Sequence, residues 1–359
     1  MKKMILCVKN NNRIAFLPFK KSTCQIFFIM ILFDGQNTLK QNNMKTKVNK
    51  EADMMIGKIC GTGSGIPVKI MDNDDLSNMV DTNDAWIRER TGVEKRHIAE
   101  SESTVSMAVE AGRRALAQTG IRPEELDMIV VSTMSPDAVL PCTACEVQKA
   151  IGAEGAVCFD LQAACTGFIF AYNTAQAYIQ SNMCRTVLLI GSERLSRLVD
   201  WTDRGTCILF GDGAGAAVLK AAEGRAYLPV SHSDGKKGEA LTCDRYIHMD
   251  GRAVFQFAVT RVPEVIREVL TKNELIMDDI DYFVLHQANR RIVEAVAKRL
   301  RQPIEKFPMN LQEYGNTSSA SIPILLDEMN RSGKLKKGQK LVVAGFGAGL
   351  SWGASIVEW

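Results

Sequence analysis

The chain has 359 residues, 46% hydrophobic and 24% charged, which suits a globular protein with a sizeable core and disfavours disordered and membrane-spanning classes. Its formal net charge of +3 is local, because residues 1–54 carry ten Lys/Arg against three Asp/Glu and the remainder carries 34 against 38. A broad nucleic-acid-binding face is therefore not expected, and any basic docking surface must be a local patch. Ten cysteines without short-loop spacing fit a reducing cytoplasm better than a disulfide framework.

Residues 1–54 are rich in Lys and Asn, and their apolar patch from Ile26 to Phe33 falls short of the ~20 residues a membrane-spanning helix needs. No stable membrane insertion is expected, and no small-residue cleavage site follows. The segment reads as a dispensable extension outside the fold, with Met54 or Met55 the expected initiator. Beyond it, Ile56 to Gly65 predicts a strand running into a Gly-rich turn that matches neither a P-loop nor a dinucleotide fingerprint. A helix begins over Asp75–Val80, another ends before Gly92, and Thr104–Thr119 is an amphipathic helix closed by Gly120. Asp127 to Ser132 is a buried strand. The pair Cys142 and Cys145 has no second CxxC and no nearby His, so no metal site is expected.

An internal repeat follows. Residues 123–132 match 277–286 at an offset of 154, each copy following an amphipathic helix and entering an apolar strand. Val187 to Gly191 resembles Leu341 to Gly345, and Asp160-Leu161-Gln162 echoes Asn310-Leu311-Gln312 at an offset of 150. Two pseudo-symmetric α/β halves account for this, 55–221 and 222–359. Strands that read as continuous apolar runs predict mostly parallel sheets buried on both faces, with the active site at strand carboxyl ends where the halves meet.

Four such strand ends carry chemistry. After Gly155 to Phe159, Cys165 sits where strand gives way to helix, flanked by Ala163, Ala164, Thr166 and Gly167, which leave room for a carbonyl. The free amides of the first helical turn are expected to favour its thiolate. His286 ends the strand Val284-Leu285 and is one of only four histidines. Asn316 follows Gly315 before a small-residue helix, and Ala344 to Gly353 forms an amide-rich loop suited to an oxyanion.

From about Met55 to Trp359 the chain resembles β-ketoacyl-acyl-carrier-protein synthase III, a thiolase-fold condensing enzyme. The resemblance rests on Asp160 to Phe168, His286-Gln287-Ala288-Asn289 and Tyr314 to Ser321. It implies a triad of Cys165, His286 and Asn316, with oxyanion donors on the backbone of Cys165 and Ala348. It implies an acyl-CoA primer, malonyl-acyl-carrier protein as second substrate, and a homodimer, with no metal or redox cofactor. Thr82, Trp86, Arg90, Arg204, Gly251 and Arg252 are its coenzyme A positions. Arg290, Arg291 and Lys298 form a basic face for an acidic carrier protein, and Leu140 and Phe346 border the acyl pocket, Leu140 from the partner subunit.

Overall fold

The structure is a computed structural model and describes residues 8–10, 13–15 and 54–359. The extension expected over residues 1–54 otherwise lies outside the described residues. Strands Val8–Asn10 and Arg13–Ala15 pair antiparallel with each other. The main body begins with the strand Met54–Gly65, which has glycine at every second position from Gly61 to Gly65. This stretch is strand throughout, not the expected turn. A Cβ at Gly61, Gly63 or Gly65 would stand 2.2 to 2.5 Å from a carbonyl oxygen of Ala115, Ala111 or Met107. The alternation thus clears one face of the strand so that the helix Thr104–Thr119 can lie with its backbone against it. That helix is capped by Ser103, whose side chain accepts from Ser106 N–H, and stopped by Gly120 at φ +68°.

The first sheet has the spatial order Met54–Gly65, Gly213–Gly224, Thr186–Glu193, Met128–Ser132, Val157–Leu161. Its last three strands are mutually parallel and the other pairings antiparallel. The second sheet orders Val230–Ser233, Ser351–Glu358, Lys340–Gly347 and Tyr282–Leu285, of which only the last pair is parallel. The sheets are therefore mixed, and the expected parallel arrangement holds only for Thr186–Glu193, Met128–Ser132 and Val157–Leu161 in the first and for Lys340–Gly347 with Tyr282–Leu285 in the second. The Lys340–Gly347 and Ser351–Glu358 strands are joined by three residues, a connection that permits only antiparallel pairing.

Five layers result. Helices Gly167–Gln180 and Ser321–Arg331 lie between the two sheets, where Phe168, Ile169, Ile322 and Leu325 share one core with strand residues Val130, Val284 and Val343. Helices Thr104–Thr119 and Thr143–Ile151 cover the far face of the first sheet, and Gly251–Lys272 with Arg290–Leu300 the far face of the second. The repeat has a structural counterpart at a single offset of 154. The 3-10 turns Ala164–Thr166 and Ser318–Ala320 each open on a left-handed residue and lead into the two central helices. Cys165 therefore corresponds to Ser319. The 150-residue echo does not carry over, since Leu161 ends a strand whereas Leu311 begins the short helix Leu311–Tyr314.

Candidate active site

Asp160 anchors the approach to Cys165: its carboxylate accepts from the amides of Thr143 and Ala144, 2.8 Å each, fixing the strand end to a neighbouring helix. The chain then turns through Ala164 at φ +46°, and Cys165 lies buried at the helix entrance. The amides expected to hold a thiolate are otherwise engaged: Thr166 N–H donates to Ala163 O and Gly167 N–H to Ala164 O, closing the 3-10 turn. With those donors spent, burial pushes the Cys165 thiol up to about 12. The expectation of a resting thiolate is corrected accordingly: desolvation outweighs what is left of the helix terminus.

The loop from Ala344 to Gly353 reaches this turn because Gly347 has no side chain, for a Cβ there would come 2.8 Å from Cys165 N and 3.2 Å from Cys165 Cβ. Thr166 Oγ1 and Ser351 Oγ share a 2.8 Å hydrogen bond, and Ser351 Oγ donates to Ala348 O, so this loop and the Cys165 turn are tied together. Ala348 is not among the left-handed residues, which include Gly349 at φ +139°, so an alanine is accommodated without strain.

His286 continues the strand Tyr282–Leu285, its N–H donating to Ala344 O. Its ring meets Phe346 edge-on at 5.5 Å, and Nδ1 lies 2.7 Å from Ser321 Oγ. Burial drives its pKa down to about 3, so the imidazole is neutral. Gln287 N–H donates to the same serine oxygen, 3.3 Å, and with Ser321 O–H donating to Nδ1 and the imidazole proton on Nε2 each of these groups is used in its ordinary role. Asn316 is clamped between its neighbours: its N–H donates to Leu209 O, and its carbonyl accepts from Gly211 N–H. Ser318 N–H donates to Asn316 Oδ1, 2.9 Å, and so leaves the side-chain NH2 for a ligand.

Cys165, His286, Asn316 and Ala348 line one cavity of about 560 Å³. Trp86, Arg90, Gly251, Arg252, Arg291 and Phe346 line it as well. Thr82, Arg204, Arg290, Lys298 and Leu140 do not. Arg204 nevertheless stands 4.7 Å over the Trp86 ring, where Arg90 is at 5.0 Å. Arg290 is drawn toward Glu294 and Arg88 O, whereas Lys298 is exposed on the outer face of Arg290–Leu300. Leu140 is 83% exposed on its own loop. Three further polar residues at or beside the site were given no part in it by the sequence reading. Ser318 and Ser321 are indistinguishable within Thr317-Ser318-Ser319-Ala320-Ser321 until the turn is folded. Asn289 was legible as a helix cap; it lines the cavity and its Nδ2 donates to Arg90 O. Among the described residues no group of His, Cys, Asp or Glu is arranged to hold a metal.

A cavity lined together by a cysteine, a histidine and an asparagine from two pseudo-symmetric α/β halves defines a thiolase-fold condensing enzyme. Family models of 3-oxoacyl-[acyl-carrier-protein] synthase III match residues 159–235, and its C-terminal portion matches 270–359. The beta-ketoacyl-[acyl-carrier-protein] synthases III of Clostridium acetobutylicum and Clostridium novyi are 46% and 47% identical, over 84% of this chain and 98% of theirs. The crystal structure of 3-oxoacyl-[acyl-carrier-protein] synthase III from Aquifex aeolicus superposes with a TM-score of 0.83 at 44% identity, covering 84% of this chain and 100% of that one. The chain belongs to the 3-oxoacyl-[acyl-carrier-protein] synthase III family and is an acyl-transferring condensing enzyme of fatty-acid synthesis.

Proposed function

We propose that Cys165 takes an acyl group from acyl-CoA as a thioester, and that malonyl-acyl-carrier protein then enters and condenses with it, releasing CO2. The convergence of Cys165, His286 and Asn316 on one cavity carries this reading. Loss of CO2 puts negative charge on the malonyl thioester oxygen, and the neutral His286 Nε2–H with the Asn316 NH2 are donors matched to it. The backbone amides of Cys165 and Ala348 serve the oxyanion of the tetrahedral adduct. Residues 55–221 thus supply the nucleophile and 222–359 the two donors.

Coenzyme A is assigned to the rim. The indole of Trp86 and the guanidinium groups of Arg90 and Arg204 suit a purine with phosphates, and the Thr82 hydroxyl is buried without a partner. Gly251 and Arg252 flank the pantetheine path. The exposed Arg291 and Lys298, with Arg290 beside them, offer a basic face to the carrier protein. A homodimer is supported by the edge strand Val157–Leu161, with Val157 61% exposed, and by the exposed Val139 and Leu140. Leu140 then closes the acyl pocket of the partner against Phe346. No helix among the described residues is long and apolar enough to cross a membrane. The reading places the enzyme in the cytoplasm, working on CoA thioesters by a chemistry that calls for no metal or redox cofactor. Acetyl-, butyryl- and isobutyryl-CoA are to be compared as primers. The reading predicts primer consumption with malonyl-acyl-carrier protein and none with malonyl-CoA alone; equal turnover with both would overturn the carrier-protein assignment.

A further inference from the structure

Acylation of Cys165 must remove a proton from a thiol that burial keeps protonated. The turns Ala164–Thr166 and Ser318–Ala320 pack against each other at this sulfur. Ser318 holds φ +49°, a conformation that costs a non-glycine residue and persists where the surroundings demand it. It is 1% exposed, lines the cavity with Cys165 and Asn316, and its hydroxyl has no hydrogen-bond partner. A buried hydroxyl left in this way is destabilising, and of the hydroxyls so placed among the described residues Ser318 is the one that lines the cavity with Cys165.

Behind it lies Glu193, fully buried, whose Oε2 accepts from Ser135 Oγ (2.6 Å), Met134 N–H (3.1 Å) and Thr133 Oγ1 (3.3 Å), and whose Oε1 accepts from Ser319 Oγ (2.7 Å). Four donors suit an ionised carboxylate, while burial raises its proton affinity. The Ser318 hydroxyl acts on both neighbours, drawing the Cys165 thiol and the Glu193 carboxyl down against burial, although it stands off from a full hydrogen bond to either. Catalytic hydrogen bonds commonly close only when substrate binds.

We propose that Ser318 is a further catalytic residue, its hydroxyl carrying the Cys165 thiol proton to the Glu193 carboxylate as the acyl group is transferred. The S–H proton passes to the serine oxygen while the serine O–H proton passes to Glu193, and the sulfur electron pair forms the bond to the thioester carbonyl carbon as the carbonyl π pair moves onto its oxygen, to return when the adduct collapses. When the adduct collapses, the carbon–sulfur bond to coenzyme A breaks with its pair on the leaving sulfur. Glu193 returns the proton through Ser318, coenzyme A departs as a thiol, and both side chains are restored. This rests on Cys165 being the acyl-bearing nucleophile.

Ser318→Ala tests the relay, because Ala164 already occupies the same conformation in the symmetric turn and the backbone N–H to Asn316 remains. Ser318→Gly, suited to a left-handed backbone, is the second variant. Labelled acetyl-CoA measures acylation, and malonyl-acyl-carrier protein decarboxylation is measured on the same preparations. Acylation should fall about a hundredfold while decarboxylation stays near wild type, and Glu193→Gln should show the same split. Acylation near the wild-type rate, or an equal fall in both half-reactions, would overturn the relay. A wild-type enzyme taking up no label on Cys165 would overturn the nucleophile assignment itself.

Discussion

Cys165 and His286 are both neutral in the resting site, and this sets how each responds to change. A thiol near 12 leaves a thiolate fraction at pH 7 of about one part in a hundred thousand. Alkylation of Cys165 by iodoacetamide should accordingly keep rising with pH through the range where an ordinary thiol levels off; a plateau near neutrality would contradict the buried thiol. His286, lowered to about 3, should give a decarboxylation rate that is flat between about pH 5 and 8. Its folded value lies below the unfolded value of about 6.5, so the unfolded chain binds the extra proton. The stability this contributes is present above about pH 6.5 and is lost as pH falls toward about 3. His286→Gln should therefore lose less stability than wild type on acidification, as read by denaturant unfolding at two pH values. Replacing His286 or Asn316 by Ala should leave labelling of Cys165 intact and slow decarboxylation by about a hundredfold, the worth of one donor of ~3 kcal/mol. Decarboxylation near wild type in either variant would remove them from that step.

At the scale of elements, the glycine alternation in Met54–Gly65 and the close approach of Gly347 make separate predictions. Gly63→Ala places a Cβ 2.3 Å from Ala111 O and should cost about 3 kcal/mol, seen as a lowered Tm. Gly347→Ala presses on Cys165 and should impair acylation more than stability. An unchanged Tm in the first, or unchanged acylation in the second, would contradict the packing described. These elements also show what the sequence could reveal. Cys165, His286 and Asn316 were legible because each follows an apolar strand or stands in a Gly-Asn turn. Strand direction was not legible: a run buried on both faces reads as apolar whether its neighbour is parallel or antiparallel. The Gly61 to Gly65 spacing was misread as a turn because its cause, a helix backbone lying on the strand, is tertiary. The hydroxyls of Ser318 and Ser321 and the depth of Glu193 likewise depend on contacts between halves that no local pattern records.

At the scale of the whole molecule, two sheets around a shared pair of helices bring the carboxyl ends of strands from both halves to one cavity. If a second copy covers the edge at Val157 with Val139 and Leu140, as proposed, light scattering should find a dimer. A fully active monomer at assay concentration would sink that assignment. Lys298→Glu should raise KM for malonyl-acyl-carrier protein several-fold while leaving acylation by acyl-CoA unchanged, since Lys298 lies outside the cavity. The most direct test follows one acetyl group through the enzyme. Labelled acetyl-CoA is added, the labelled peptide is identified by mass spectrometry, and the acylated protein, freed of CoA, is then given malonyl-acyl-carrier protein. The account predicts label first on Cys165 and then in 3-oxoacyl-acyl-carrier protein, with neither formed by Cys165→Ala. Label on another residue, or product formed at the wild-type rate by Cys165→Ala, would contradict it.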